Sequence, residues 1–469
     1  MLELIFFSIL AIIILAPCGY IFNTHKNNNI ISLSNDLIYG FILISFITLL
    51  INFFAPLNII INSLILIFPL IVIFNNKKYY FSTNFFKFVI FNSIIVFLLM
   101  AKSNIYRPDA ILYHLPYINI LNEEKIIFGL SNLHFRYAHV SIIQYFSSFF
   151  NNFIFGYKGI TFSIAIVASS VIINFLAYLI KYLKNKKFNF HFFYLFFILI
   201  FISYKMNRYG EYGNDAPTHF LFFFLISEII QSFKDKKILY SANNFILAVF
   251  IVLNKITMAF AIFLPFLFLK KNELSKMFII PKNYFGFIFL SLWVFKNIII
   301  SGCAIYPVSK LCLQNLEWSN VYLAKNVSQE NEAWTKAWPD YKNTDNISQA
   351  EYSKDFNWVD TWSKTHLLKI NKILLPYFIL LTFIYLFIYF KFKNKNIIPN
   401  SFHNRKYLIL ILLMVVFSII WFLKVPVYRY GYSYFVSFLT LGFAYIFILN
   451  SSIKKSAYKF FKFFLILFT

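Results

Sequence analysis

Charge is scarce in this chain of 469 residues. Only 13% are Asp, Glu, Lys or Arg, about half the share of an ordinary soluble domain, while 60% are hydrophobic and 22% aromatic. That balance excludes a disordered chain, which needs high charge and little apolar surface. It also argues against a soluble enzyme of two or three domains, which the length alone would allow. Eleven glycines are far too few for a collagen-like repeat. Three cysteines exclude a disulfide scaffold, and no Cys/His spacing of zinc type is present. No period of roughly 20–50 residues recurs, so no solenoid is expected. Acids are the scarcest charges, 18 against 43 Lys and Arg, for a formal charge of +25. In a soluble protein that excess would point to nucleic acid, so the placement of the charges decides.

Apolar runs are what the chain has in abundance. Stretches near the roughly 17–25 residues that cross a bilayer lie at 3–22, 35–54, 58–74, 88–101, 160–180, 188–204, 216–233, 238–253, 257–269, 283–301, 373–390, 407–423 and 432–449. They predict an all-α integral membrane protein, one polytopic domain over residues 1–469, with about 13 (11–14) transmembrane helices. The 239–269 stretch is too long for one crossing and is read as two short ones turning at Asn254-Lys255. The first 22 residues lack a basic start and carry Glu3, which suits a first span with its N-terminus outside better than a cleaved signal.

The spans sort the cations into two sets. Loops 23–34, 75–87, 181–187, 234–237, 270–282, 391–406 and 450–462 hold 24 Lys and Arg, against only Asp235 and Glu273 within them and Asp36 just beyond the first. The other side holds 19 Lys and Arg against 14 acids, and Glu228 lies within a span. The basic loops are short, where the positive-inside rule is most dependable. They are expected in the cytoplasm of a bacterial inner-membrane protein, among them Lys77-Lys78, Lys184 to Lys187 and Lys391 to Lys395. The partner of most of this charge is then the lipid bilayer and not nucleic acid.

Chemistry gathers on the other side. The first large outer segment, 102–158, is polar over 102–137 and carries Arg107, Asp109, Tyr113, His114, His134 and Arg136. The next outer turn supplies Arg208, Glu211 and Asp215, the hairpin tip Lys255, and the last outer turn Arg429. Each has a plain reading too. Asp109 after Pro108, and Asp215 before Ala216-Pro217, suit helix N-caps. Arg136 and Arg208 suit anchors that snorkel to headgroups. His139 and His219 suit solvated or packed positions. Lys255, the only charge in its apolar stretch, needs water, a partner or a ligand.

Taken together the set suits a lipid-linked phosphate donor. Arg forks pair with phosphate oxygens, and a carboxylate can take the proton of an attacking hydroxyl. Asp109 is the candidate base, with Arg136, Arg208, Lys255 and Arg429 as phosphate holders. Glu211 and Asp215, four apart, would share a face if that turn is helical, and could orient hydroxyls or a divalent cation, magnesium or manganese. No metal ligand is assigned. The long outer loop 302–370 carries Trp318, Trp334, Trp338, Trp358 and Trp362. Short amphipathic helices there are expected to lie on the membrane as a lid, with Trp at the lipid interface or over a sugar face. Cys303 and Cys312 fall in this loop and could pair. Asn326 and Asn346 match the glycosylation acceptor pattern.

Several blocks resemble a known group. Asp109-x-x-x-Tyr113-His114-x-Pro116, Gly129-Leu-x-Asn132-Leu-His134-x-Arg136, Ser301-Gly302-x-x-x-Tyr306-Pro307 and Pro426-x-x-Arg429-Tyr430-Gly431 resemble an uncharacterised family of large bacterial polytopic membrane proteins. More distantly, an acid in the first large outer loop followed by an aromatic resembles GT-C class integral-membrane glycosyltransferases. That resemblance implies a polyprenyl-phosphate sugar donor, Asp109 as the catalytic acid residue, and an outer cap over the site. Tyr113, His114, His134, Arg136, Arg208, Glu211, Asp215, Lys255 and Arg429 would bind substrate. Here the loop follows about the fourth span where GT-C members have it after the first, and no paired acids stand at Asp109.

The expectation is a hexosyltransferase-type enzyme moving a sugar to a cell-envelope glycan or lipid on the periplasmic side. Two alternatives stay open. An O-antigen-type polymerase or ligase would work through Arg and His. A lipid-linked-sugar transporter would place charges at mid-membrane and show inverted repeats. Donor sugar, acceptor and oligomeric state are not legible.

Overall fold

The computed structural model describes residues 2–22, 27–103, 107–235, 238–269, 271–338, 347–392, 405–449 and 461–462. The basic segments 393–404 and most of 450–462, with Asn346, lie outside them. Every regular element among the described residues is a helix, and the one β-type pairing is an isolated bridge between Cys303 and Cys312. The main helices are α1 (Leu2–Cys18), α2 (Ile30–Asn52), α3 (Thr83–Ala101), α4 (Leu115–Glu123), α5 (Ile142–Phe149), α6 (Ser163–Lys184) and α7 (Phe190–Lys205). They continue with α8 (Asp215–Asp235), α9 (Ile238–Asn254), α10 (Pro281–Ser301), α11 (Val321–Thr335), α12 (Leu368–Phe392), α13 (Arg405–Lys424) and α14 (Tyr432–Leu449).

Among the described residues nine helices are long and apolar enough to cross a membrane, where the hydropathy pattern suggested about thirteen spans. Three further apolar helices are shorter, at Ile59–Asn75, Phe190–Lys205 and Ala242–Asn254. The 257–269 stretch is not an α-helix. Lys255 is extended (φ −151°, ψ 108°), a 3-10 turn runs Ile256–Phe263 with a break at Met258, and irregular turns follow. Pro265 removes a backbone donor from this arm. The turn falls at Asn254-Lys255 as the sequence suggests, but only one arm is helical.

The chain divides into two compact units. The first comprises Met1–Asn174, Asn207–Leu225 and Lys237–Ser328, and the second Phe175–Met206, Ile226–Lys236 and Gln329–Thr469. In the first, α1 and α2 cross at near backbone contact. A Cβ on Gly19 would fall 1.8 Å from the Asp36 carbonyl oxygen, and one on Gly40 would fall 2.0 Å from that of Leu15. Small residues let spans approach this way in lipid, where hydrophobic burial does not drive helices together.

Hydrogen bonds sort the loops of the first unit between its two ends. At one, Lys282 Nζ (2.9 Å) and Asn243 Nδ2 (3.3 Å) donate to the Phe22 carbonyl, and Asn28 Nδ2 donates to that of Tyr79 (3.1 Å). At the other, Leu57 N donates to Leu121 O (2.7 Å), Ile126 N to Asn52 O (3.0 Å) and Gly129 N to Ile299 O (3.0 Å). Lys158 pairs with Glu3 there at 3.1 Å. These are the two loop sets that the charges separate.

Within segment 102–158, α5 is packed inside the protein. All eight residues of α5 are buried, its apolar side through Ile142, Tyr145, Phe146 and Phe149 and its polar side, Gln144, Ser147 and Ser148, through hydrogen bonds inside the protein. Its serines are satisfied locally, Ser147 Oγ to Ile143 O (2.9 Å) and Ser148 Oγ to Asn122 Oδ1 (2.9 Å).

In the second unit α7 packs on α14 through Phe193 and Phe197 against Phe447, with ring centroids 4.9 and 5.2 Å apart. Tyr377 of α12 donates to Phe197 O at 2.9 Å. Trp358 and Trp362 are buried here, and Trp362 Nε1 donates to Pro426 O at 2.6 Å. These two rings therefore do not form a membrane belt or an open sugar platform. Trp338 packs on Tyr352, and Trp334 is exposed. In the first unit Trp318 Nε1 donates to Ile298 O (3.0 Å), and Cys303 and Cys312 form a disulfide; Cys18 is a buried thiol.

Candidate functional site

Asp109 closes a short helical turn, Arg107–Asp109, and the chain continues as a wider π-type turn through Ala110–His114. Its carboxylate makes no capping hydrogen bond, so the cap reading does not describe it. Instead Asp109 Oδ1 faces Arg136 Nη1 at 3.6 Å. Both side chains are about one-third exposed, at 29% and 36%. That distance exceeds the roughly 2.7–2.9 Å of a charge-assisted hydrogen bond, so the guanidinium keeps donors for another partner. Arg136 also lies over the Tyr113 ring at 4.9 Å and near Phe135 at 5.7 Å. This holds its fork in place.

His114, next to Tyr113 at 4.2 Å between ring centroids, is buried and bonds through Nδ1 to Gln144 Nε2 at 2.7 Å. Gln144 sits at the third position of α5 in a capping box. Its Oε1 accepts from Ser141 N (2.8 Å), and Ser141 Oγ accepts from Ile143 N (3.2 Å). The same Gln144 Nε2 donates to Tyr212 O at 3.3 Å, which brings in the 207–214 turn. Ser103 Oγ tethers that turn again, accepting from Tyr209 N (2.8 Å) and Gly210 N (2.6 Å). Burial pushes the Tyr209 and Tyr212 phenols above their ordinary value, so both remain neutral donors.

Within that turn Arg208 Nε faces Glu211 Oε1 at 3.7 Å, and the glutamate is largely buried. The turn is not helical, and α8 begins only at Asp215. Glu211 and Asp215 therefore do not share a helix face. Pro217, in the first turn of α8, needs no donor there, and the carboxylate of Asp215 suits the positive helix start. Asp215 ion-pairs with Lys255 of the hairpin tip. Asn214 Nδ2 donates to Asn254 O (2.8 Å), and Ser141 Oγ to Asn254 Oδ1 (2.9 Å). One connected polar cluster thus joins the 107–149 segment, the 207–215 turn and the α9 tip.

Of the residues singled out from the sequence, Asp109, Tyr113, His114, Arg136, Arg208, Glu211, Asp215 and Lys255 belong to this cluster. His134 borders it in a local role: its Nδ1 accepts from Arg136 N at 3.1 Å and caps the Phe135–His139 turn. Arg429 belongs to the second unit, where its guanidinium lies 5.5 Å from the Tyr430 ring. His219 is buried, and His139 packs on Tyr306. Lys255 has the carboxylate its burial requires, which sets it apart from the arginines as a phosphate holder. The cations Arg136, Arg208 and Lys255 each face one of Asp109, Glu211 and Asp215. Among the described residues no three His, Cys, Asp or Glu come together as a metal site.

Sequence reasoning missed Gln144, Ser141, Asn214, Asn254 and Ser103. A signal for two of them existed. Ser141-x-x-Gln144 before an apolar run is a capping-box signature, and it fixes where α5 starts. The asparagines and Ser103 carry no pattern that singles them out.

A family model matches residues 1–436, and the chain belongs to that family, described as a domain of unknown function, DUF8201. No curated protein and no solved structure matches the chain.

Proposed function

We propose that this DUF8201 chain is a GT-C-like membrane glycosyltransferase. It moves a sugar from a polyprenyl-phosphate donor to an envelope glycan or lipid on the periplasmic side of the inner membrane. The observation that carries the reading is Asp109, a carboxylate free of capping duty, facing Arg136 in a polar cluster at the end of the unit away from the basic loops. In the reaction the acceptor hydroxyl attacks the anomeric carbon, and the new C–O bond forms as the bond to the phosphate oxygen breaks. The electron pair leaves with the phosphate, and Asp109 takes the hydroxyl proton. Arg136 and Arg208 hold the leaving phosphate.

Sidedness is supported from two directions. The positive-inside rule assigns the Lys-rich loops to the cytoplasm, and the Cys303–Cys312 disulfide suits an oxidising compartment. The test is the envelope glycan and glycolipid profile of cells whose only copy carries Asp109→Asn, with the protein quantified in membranes. The expected result is loss of the product by about 100-fold or more, the usual contribution of a general base, with partial activity in Asp109→Glu. An unchanged profile with normal protein levels sinks the reading.

A further inference from the structure

Residues 124–129 border a groove on the first unit, at the end away from the basic loops. Asn52 Nδ2 donates to Glu124 O (3.0 Å), Ile126 N to Asn52 O (3.0 Å) and Gly129 N to Ile299 O (3.0 Å). The segment is thereby fastened to the ends of α2 and α10. The groove has a volume of about 340 Å³ and is lined by Leu50, Phe53 and Phe54 from the end of α2 and by Leu292 and Phe295 from α10. The Phe53 and Phe295 rings stack with their centroids 5.6 Å apart. Leu292, Phe295 and Ile299 recur at three and four residues, so they share one face of α10. Both helices are long and apolar enough to cross a membrane, and Phe54 and Phe295 are exposed. The groove therefore opens where hydrocarbon surrounds the protein.

One lining residue is charged, Lys125. It is exposed, as are Glu123 and Glu124 directly before it. Among the described residues none of the three enters an ion pair. We propose that the groove seats one hydrocarbon chain of a zwitterionic phospholipid whose head group joins a phosphate to a primary ammonium, as in phosphatidylethanolamine. Its phosphate pairs with Lys125, and its ammonium with the carboxylates of Glu123 and Glu124. A lipid carrying phosphate alone, phosphatidylglycerol or a polyprenyl phosphate, satisfies the lysine but brings no cation to the two acids. A peptide laid in the groove would leave backbone donors and acceptors unmet in hydrocarbon. The proposal requires only the membrane and does not rest on the transfer reading.

The test is native mass spectrometry of the full-length protein, released from nanodiscs of equal parts phosphatidylethanolamine and phosphatidylglycerol. The wild type is expected to retain phosphatidylethanolamine over phosphatidylglycerol by about tenfold or more, the scale of a hydrogen bond between charged groups. Lys125→Glu, at an exposed position, is expected to reduce that retention by a similar factor. Glu123→Lys combined with Glu124→Lys is expected to turn the preference toward phosphatidylglycerol. Leu292→Trp fills the groove while keeping all three charges, and is expected to release the lipid, with circular dichroism reporting the helical fold. Equal retention of the two lipids overturns the proposal, as does retention that survives Lys125→Glu. Retention in a folded Leu292→Trp variant places the lipid outside the groove and overturns it too. Displacement of phosphatidylethanolamine by an equal amount of added polyprenyl phosphate assigns the groove to that lipid instead.

Discussion

Lys255 illustrates what a single residue can and cannot announce. Its isolation in an apolar stretch was legible, since a cation within a membrane span needs a partner. The identity of that partner was not, because Asp215 lies 40 residues earlier and reads locally as a helix start. The pair is asymmetric: Lys255 is 6% exposed and Asp215 31%. Removing the carboxylate takes the ion-pair partner from a buried ammonium, whereas removing the ammonium leaves a carboxylate with access to water. We therefore expect Asp215→Asn to cost about 3 kcal/mol, the lower end for breaking a buried pair. Lys255→Met should cost less than about 1 kcal/mol, as for exposed pairs. Thermal unfolding in detergent ranks the two, and the reverse order would contradict the pairing. Asp109 and Arg136 were likewise legible as residue types in a charged outer loop. Gln144 was not, because an amide within an apolar run carries no charge signal and its importance comes only from what it bonds.

At the scale of elements, hydropathy located the spans but not their shape. It counts apolar residues and is blind to the backbone donor that Pro265 lacks, so the second arm after Lys255 was read as a crossing. It also could not tell a buried half-length helix from one lying on the membrane, and α5 proved to be the former. Close helix approach was similarly silent, since Gly19 and Gly40 are only two of 11 glycines. Position separates them from the rest. A methyl on Gly40 would meet the Leu15 carbonyl at 2.0 Å, whereas one on Gly442 in α14 would meet nothing within 4 Å. Gly40→Ala is expected to destabilise by about 1–3 kcal/mol through overpacking. Gly442→Ala should be neutral or stabilising by up to about 1 kcal/mol from helix propensity. Parallel melting curves of the two variants test this, and equal behaviour would mean that α1 and α2 do not cross so closely.

For the whole molecule, net charge was the most misleading number and its distribution the most informative one. A formal +25 suggests a polyanion until the spans divide it, after which most of it marks one set of loops. Within the first unit, hydrogen bonds and ion pairs keep the ends of the basic loops at Phe22–Asn28, Tyr79 and Lys282 apart from the cluster of acids, arginines and histidines. Which end faces the cytoplasm follows from chemistry that a gel can read. The disulfide between Cys303 and Cys312 lies in the segment that bonds to 129–132 through Ile299 and Trp318, at the end that carries Asp109. Cytosolic glutathione and thioredoxin keep such thiols reduced, whereas the periplasm oxidises them. Cells lysed directly into denaturant with a heavy maleimide reagent should show one modified cysteine per chain, Cys18, and three only after prior reduction. Three modified cysteines without reductant would place that end in the cytoplasm. The proposed transfer would then have to draw its donor from the cytoplasmic leaflet.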